Sequence, residues 1–251
     1  MKALPIVGFT MLGAALFTTS LFPAAAQDQS AVEKINAYVG CINRLSSRAY
    51  DSHARYFSWA KKSGPTGKER IIYGTYTIYD TSDCRRNVEK ANTLEPRDAE
   101  LEAAASAYAD AVSKLEPLLK EADDYYTQEN YKDDRMAKGK ALHPRLVAAW
   151  DTFASADKKL RAGVEIVNDK RAAERLAEIE SKEGRKVRYH VEALMIKAKR
   201  VLRTQDTDTP DIAAITQALN DYEAAVKAIE DASGKDGDVK IGSIFLSNAK
   251  S

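Results

Sequence analysis

The chain has 251 residues, of which 38 are Lys or Arg and 37 are Asp or Glu, so its formal net charge is +1. This balance argues against a surface that binds nucleic acid or an anionic membrane, because both need an excess of positive charge. The length suits one large domain or two small ones. The two cysteines alone make a poor zinc site, since structural zinc usually takes four Cys or His ligands.

The first 26 residues have the features of a secretory signal peptide. Lys2 supplies the positive charge, residues 6–22 are apolar apart from Gly, Thr and Ser, and Ala24 to Ala26 precede the expected cut before Gln27. The alternative is a membrane anchor, but the stretch is at the short end of what spans a bilayer and no basic stop-transfer cluster follows. Cleavage removes one basic residue and leaves the charges balanced. We expect a periplasmic or secreted protein with no stable membrane insertion.

The first helix is predicted over residues 30–59, where apolar side chains recur at steps of three, four and seven. This stripe consists of Ile35, Tyr38, Ile42, Leu45, Ala49 and Tyr56. Gly64, Pro65 and Gly67 mark the loop that follows. Residues 71–80 have strand propensity, but no partner run accompanies them. We therefore expect an ordered connection there rather than a strand.

A short helix carrying Cys84 is predicted next, with Asp80, Thr81 or Ser82 as its cap. Export places Cys41 and Cys84 in an oxidising compartment, and an even pair indicates one disulfide. The bridge would close a loop of about 44 residues and stabilise the fold by about 4 kcal/mol in the chain-entropy model. The alternative is two buried free thiols.

Two long helices are predicted on either side of residue 130. The first starts at Pro96 or Asp98 and has a kink at Pro117. Its apolar stripe is Leu101, Ala105, Tyr108, Val112, Leu115, Leu119, Ala122 and Tyr126. The second starts near Asp133, and Pro144 is a kink or a boundary in it. Its apolar positions are Leu142, Leu146, Ala149, Phe153, Leu160 and Val167.

A highly charged stretch over residues 168–203 keeps an apolar stripe, with Gly184 as its weak point. After a polar loop, the last helix is predicted on the stripe Ile212, Ile215, Leu219, Tyr222, Val226 and Ile229. Long amphipathic helices with short loops predict an all-α fold, an elongated antiparallel bundle. We expect one bundle domain over residues 27–232 and a flexible C-terminal tail over residues 233–251, whose apolar residues 244–246 could dock on the body.

The stretch over residues 123–153 combines acids, tyrosines, a glycine and a histidine. A calcium loop is disfavoured, because "DDYYTQENYKDD" lacks the Gly and the acids at alternating positions that an EF-hand needs. The simpler interpretation is a helical hairpin whose turn is Thr127 to Lys132. Asp133 or Asp134 would cap the second helix, and Gly139 would let a neighbouring helix or side chain approach closely.

A functional interpretation of the same stretch remains open. His143 could act as a base oriented by Asp133 or Asp134, and the tyrosines could stack on a ligand. The candidate ligand-binding residues are Tyr125, Tyr126, Tyr131, Asp133, Asp134 and His143. The sequence contains no HExxH, no G-x-S-x-G and no Gly-rich phosphate loop. We therefore predict no catalytic residues, no metal and no cofactor.

These residues also carry a family resemblance. The aromatic pair Tyr125-Tyr126, the step from Tyr131 to Asp134 and the run from Lys138 to His143 resemble the central signature of the YiiG-like family of bacterial envelope proteins, domain of unknown function 3829. Tyr38 and Asn43 resemble its opening helix. The similarity covers most of residues 30–235 and implies a helical, exported protein, without a reaction, ligand or catalytic residue. The lipidation Cys of the lipoprotein members is missing here.

Three functional hypotheses follow. The first is a non-enzymatic periplasmic protein that binds something, such as another envelope protein, because no catalytic constellation accompanies the long exported bundle. The second is a small-ligand or metal binder that uses the stretch from Tyr125 to His143. The third is an enzyme of an unrecognised type. A deep pocket lined by the candidate residues would favour the second hypothesis, and a smooth hairpin tip would favour the first.

Overall fold

The predicted all-α fold is confirmed. A computed structural model describes residues 24–205 and 211–236, and the side-chain surroundings of residues 28–205 and 211–233. Within these ranges, six helices hold 79% of the residues and no strand occurs. The helices are α1 Ala24–Phe57, α2 Thr81–Ala91, α3 Ala99–Thr127, α4 Ala137–Glu183, α5 Val187–Gln205 and α6 Ile212–Asp236. The predicted signal peptide lies outside the described residues except for Ala24 to Ala26, which form the first turn of α1.

Helices α1 to α4 enclose the main hydrophobic core. Every member of the predicted stripes of α1 and α3 is buried, and Tyr38, Tyr56 and Tyr108 are fully so. The steps of three and four residues keep these side chains on one face of each helix. Helix α3 packs most extensively on α4, antiparallel to it across a short turn. Asp98 begins α3 as predicted, because its side chain accepts from the backbone N–H of Leu101 at 3.0 Å.

Helix α2 is joined to α1 by the predicted disulfide between Cys41 and Cys84, whose Cα atoms are 5.2 Å apart. Both cysteines are buried. The predicted side-chain cap of α2 is wrong. Asp80 precedes the helix, but its backbone is left-handed, with φ at 63°, and its side chain caps no N–H. The hydroxyl of Thr81 instead bonds to Glu116 of α3.

Residues 71–80, named the strap, form the expected ordered connection and belong to no helix or strand. Side chains of α1 and of the turn after it hold its backbone: the indole Nε1 of Trp59, two residues beyond α1, donates to the Gly74 carbonyl at 2.9 Å. Ser52 Oγ donates to the Tyr76 carbonyl at 2.7 Å and accepts from the Tyr76 N–H at 3.1 Å. The strap therefore satisfies its polar backbone groups on a helix rather than in a sheet.

Helix α4 is longer than the sequence predicts. It continues from Ala137 through the charged stretch to Glu183, and Pro144 lies inside it without ending it. The break comes at Gly184, whose φ of 77° favours glycine. Gly184, the expected weak point of the charged stretch, is therefore where the helix ends, and that stretch is divided between α4 and α5.

Helices α5 and α6 form a second hairpin with a small core of Leu194, Val226 and Ile229. The predicted apolar stripe of α6 is only partly buried, since Ile212 is 72% exposed and Leu219 is 41% exposed. Helix α6 ends at Asp236, four residues beyond the predicted end of the bundle domain at residue 232, and the rest of the predicted tail lies outside the described residues. None of the helices in the described ranges combines the length and the hydropathy of a membrane crossing.

Candidate functional site

The α3–α4 turn is longer than the predicted segment from Thr127 to Lys132. It covers residues 128–136, and α4 begins at Ala137 rather than near Asp133. Three residues other than glycine have positive φ in this turn: Glu129, Arg135 and Met136. The chain makes several tight reversals here before it enters α4, and those reversals delay the start of α4 by four residues.

Asp134, and not Asp133, caps α4. Its carboxylate accepts from the N–H groups of Ala137 at 3.1 Å and Lys138 at 2.9 Å. It also accepts from the Tyr125 hydroxyl at 2.8 Å. The bond from Lys138 contributes most to holding the pKa of Asp134 below its ordinary value. One carboxylate therefore joins the end of α3 to the start of α4, while Asp133 is exposed.

We predict that Asp134→Ala lowers the melting temperature and that Asp133→Ala leaves it unchanged. The first substitution removes three hydrogen bonds at the start of α4, and the second removes none. Thermal unfolding followed by circular dichroism measures both. Equal losses in the two variants would mean that general negative charge near the helix start, and not this cap, stabilises α4.

Tyr125 and Tyr126 are buried at this end of the bundle, with 2% and 4% of their surfaces exposed. Their rings pack edge to face, 5.0 Å between centroids, and Trp59 packs on Tyr126 at the same distance. Burial raises the pKa of Tyr125 to about 12, and the bond to Asp134 acts in the same direction. Both hydroxyls therefore stay protonated at neutral pH, where they act as hydrogen-bonding groups rather than bases.

Gly139 allows the close approach predicted for it. A Cβ at this position would lie 2.4 Å from Met136 Sδ, 3.0 Å from Tyr126 Oη and 3.2 Å from Tyr125 Cε1. These contacts are shorter than van der Waals separations, and Met136 is itself fully buried. The glycine therefore lets the first turn of α4 lie against the tyrosine pair.

We predict that Gly139→Ala destabilises the protein. Overpacking costs about 1–3 kcal/mol, which exceeds the gain of about 1 kcal/mol in helix propensity. Gly40→Ala is the matched control, because Gly40 lies on the exposed face of α1 and a Cβ there would meet no atom within 4 Å. That control should be neutral or stabilising by up to about 1 kcal/mol in denaturant unfolding. A stabilised Gly139→Ala variant would show that Met136 moves aside at little cost.

His143 contacts the α1 end of the bundle rather than an aspartate. Its Nδ1 lies 3.0 Å from the Tyr56 hydroxyl, and its Nε2 lies 3.1 Å from the Lys62 carbonyl. Gly64 fits against the imidazole, since a Cβ there would lie 3.2 Å from its Cδ2. The geometry therefore gives His143 the role of fastening the loop after α1 to α4, and neither Asp133 nor Asp134 orients it.

The six candidate residues thus fall into two groups. Tyr125 contacts both Tyr126 and Asp134, and Tyr131 packs beside the two tyrosines at ring distances of 6.5 Å and 6.4 Å. Asp133 faces solvent and His143 bonds elsewhere. Within residues 28–205 and 211–233, no three His, Cys, Asp or Glu side chains come together as a metal site requires. The Tyr126 hydroxyl is buried and makes no hydrogen bond of ordinary geometry among the described residues, although Tyr56 lies close enough to raise its pKa.

Sequence reasoning missed a surface depression between α1 and the strap. It encloses about 520 Å³ and is lined by Arg48, Asp51, Ala54, Arg55, Ser58, Tyr73 and Tyr76. The guanidinium carbon of Arg48 lies 3.8 Å from the Tyr76 ring centroid, and that of Arg55 lies 4.4 Å from it. A signal exists in the sequence: Arg48, Ser52, Arg55 and Trp59 recur at steps of four, three and four, a row of hydrogen-bond donors beside the apolar stripe.

A family model described as "Protein of unknown function (DUF3829)" matches residues 29–251. The chain belongs to this family. The uncharacterized protein YiiG of Escherichia coli (strain K12) is 36% identical over 211 residues, which cover 82% of this chain and 60% of that relative. The match thus spans about three fifths of the relative's length. No solved structure matches the chain.

The residues that carry the DUF3829 resemblance have clear structural roles here. The tyrosine pair and Gly139 pack together at the start of α4, Asp134 caps that helix, and His143 holds the loop after α1. In this DUF3829 chain the signature therefore describes how one end of the bundle is closed. The depression beside the strap is separate from the signature residues quoted above, although it lies within the range that the family model matches.

Proposed function

We propose that this protein is an exported, non-enzymatic binding protein of the bacterial envelope, and that it binds at the depression between α1 and the strap. The observation that carries the proposal is the pair of fixed guanidinium groups, of Arg48 and Arg55, at an open concave surface. Held cationic groups at a concave surface bind ligands with little loss of side-chain freedom.

Export is supported by two features. The disulfide between Cys41 and Cys84 suits an oxidising compartment, and residues 1–26 have the pattern of a cleaved signal peptide. The proposed organisation is a bundle domain over residues 27–232 followed by a flexible tail. Expression of the full chain in a bacterium with two membranes, followed by osmotic release and mass spectrometry, should recover a mature protein that begins at Gln27. Full-length protein confined to the cytoplasm would contradict export.

The contacts of His143 and His53 favour a binding role for the protein over a catalytic one. His143 lies between Tyr56 and the Lys62 carbonyl, and the ring of His53 packs at 4.7 Å from Phe57 and 5.3 Å from Trp150. Burial lowers the pKa of His53, which keeps its ring neutral among these aromatic neighbours. Both side chains therefore have packing roles, while the arginines at the depression face open space.

Photo-crosslinking in living cells tests the binding site. A photoreactive amino acid in place of Ser58, which is exposed and lines the depression, should capture an envelope component. The control position is Lys158, exposed on α4 away from the strap. Capture at position 58 that disappears in an Arg48→Gln/Arg55→Gln background supports the proposal. Equal capture at both positions, or none at 58, contradicts it.

The second candidate function is a small-ligand or metal site within the stretch from Tyr125 to His143. One observation favours it, namely that the buried Tyr126 hydroxyl makes no hydrogen bond of ordinary geometry among the described residues beyond its approach to Tyr56, and a bound polar group would supply one. Added Ca²⁺ or Zn²⁺ should then raise the melting temperature of the wild type but not that of Asp134→Ala. An unchanged wild-type melting temperature rejects the metal form of this function.

A further inference from the structure

We propose that the depression between α1 and the strap binds a small polyanion, a molecule with two or more closely spaced carboxylate or phosphoryl groups. This inference rests on the proposed binding function of the same depression and names the chemistry of its ligand. The proposal rests on the guanidinium groups of Arg48 and Arg55. Both lie over the ring of Tyr76, and neither forms an ion pair with a carboxylate among the described residues.

The two guanidinium groups are fixed before any ligand arrives. Arg48 Nε donates to the Thr77 carbonyl at 3.3 Å, and Arg55 Nε donates to the Tyr73 carbonyl at 2.8 Å. Arg55 Nη1 also donates to the Tyr76 hydroxyl at 3.0 Å. These bonds use one donor of Arg48 and two of Arg55, and a guanidinium has five. The remaining N–H groups are available at the depression, in the planar arrangement that suits carboxylate and phosphate oxygens.

The two guanidinium groups are close enough for one molecule with two anionic groups to contact both. Because both guanidinium carbons lie close to the same ring centroid, at 3.8 Å and 4.4 Å, they are at most about 8 Å apart. A molecule with neighbouring carboxylates or phosphoryl groups reaches both guanidinium groups at once, and the second contact then adds affinity at little further entropic cost.

The charge around the depression also favours the binding of anions. Other arginines of α1 and α2 have carboxylate partners: Arg44 lies 3.8 Å from Asp83, and Arg85 lies 2.7 Å from Asp110. Arg48 and Arg55 have no such ion pair within the described ranges. One carboxylate, Asp51, lines the depression, so two positive charges face one negative charge. The site keeps a net positive charge, and Asp51 weakens its affinity for anions by long-range repulsion.

The titration uses the purified full chain with citrate and with pyrophosphate, at constant ionic strength, and acetate as the single-charge comparison. Citrate tests a carboxylate source and pyrophosphate tests a phosphoryl source. Isothermal calorimetry gives the affinity, and the side-chain Nε–H signals of Arg48 and Arg55 in ¹⁵N-labelled protein report where the anion binds. We expect saturable binding of at least one polyanion, stronger than that of acetate.

The variants separate this site from general attraction to positive charge. Arg48→Gln and Arg55→Gln should each reduce the affinity by about tenfold or more. Arg44→Gln is the matched control on the same helix and should change nothing, because Arg44 does not line the depression. Asp51→Asn should increase the affinity by about threefold, since one unit charge several ångströms away is removed. A lower melting temperature in a glutamine variant would show that the substitution loosens the strap. The Asp51→Asn variant then still tests the site, because it keeps both arginines.

The outcomes show separately whether the polyanion proposal fails and whether the proposed binding function fails. No saturable binding of either polyanion, or equal binding in the wild type and both glutamine variants, overturns the polyanion proposal. If photo-crosslinking at position 58 still depends on Arg48 and Arg55, the depression is a binding site for another class of ligand. Binding of citrate or pyrophosphate that follows the variants as described supports the proposal.

Discussion

Replacement of Lys34 by methionine is expected to lower the free energy of unfolding by about 3–5 kcal/mol, the usual cost of breaking a buried ion pair from one side. Lys34 of α1 is 2% exposed and forms an ion pair with Glu102 of α3, which is 7% exposed. Its ammonium group also donates to the carbonyls of Leu94 at 3.0 Å and Pro96 at 2.9 Å. Methionine fills the space but leaves two carbonyls and a carboxylate with fewer donors.

The matched control is Lys90→Met. Lys90 of α2 pairs with Glu33 of α1 at 3.0 Å, but 73% of the lysine side chain and 53% of the glutamate side chain are exposed. An exposed pair stabilises by at most about 1 kcal/mol, because water already solvates both charges. Urea unfolding of the two variants measures the difference. Losses of similar size would mean that water enters the Lys34 site in the variant and replaces the missing donor.

The same cluster predicts how stability depends on pH. The hydrogen bond from Arg97 is the largest cause that holds the pKa of Glu102 well below its ordinary value of 4.5, and the bond from Lys34 acts in the same direction. A carboxyl with a depressed pKa stabilises the folded state above its unfolded pKa and loses that contribution as the pH falls. Unfolding measured between neutral pH and acid should therefore show a decline below about pH 4.5. This component should be missing in Glu102→Gln.

The core of the bundle was predictable from periodicity alone. All six stripe positions of α1 and all eight of α3 are buried, because steps of three and four residues place side chains on a single helical face. The pairing of Cys41 with Cys84 was also predictable, since two cysteines allow one intramolecular disulfide. These features depend on local spacing or simple counting.

Features that depend on how separate parts of the chain pack together could not be predicted from local sequence. The stripe of α6 indicates which face of the helix is apolar, but whether Ile212 is covered depends on what packs against that face. The length of the α3–α4 turn depends on positive φ values at Glu129, Arg135 and Met136, residue types that do not indicate such a conformation. The depression arises because Arg48 and Arg55 meet the strap, more than twenty residues along the chain from Arg48.

Removal of the disulfide is expected to destabilise the protein by about 4 kcal/mol, the chain-entropy estimate for a closed loop of about 44 residues. The bridge joins α1 to α2, which has only 11 residues and packs on α1 and α3. A helix this short is marginal without tertiary support, so its docking depends on the connection. The variant for the test is Cys41→Ala/Cys84→Ala, because alanine leaves no unsatisfied hydroxyl in the buried site.

Guanidinium unfolding with and without a reductant isolates the contribution of the bridge. The wild type should lose about 4 kcal/mol on reduction, and the double-alanine variant should not respond to the reductant. Both cysteines are buried, with 1% and 0% exposed, so reduction requires partial unfolding and the samples must be reduced in denaturant before refolding. Thiol labelling of the unreduced, unfolded wild type should detect no free cysteine. Two reactive thiols per unreduced chain, or a wild type that is equally stable before and after reduction, would show that the bridge does not stabilise this bundle.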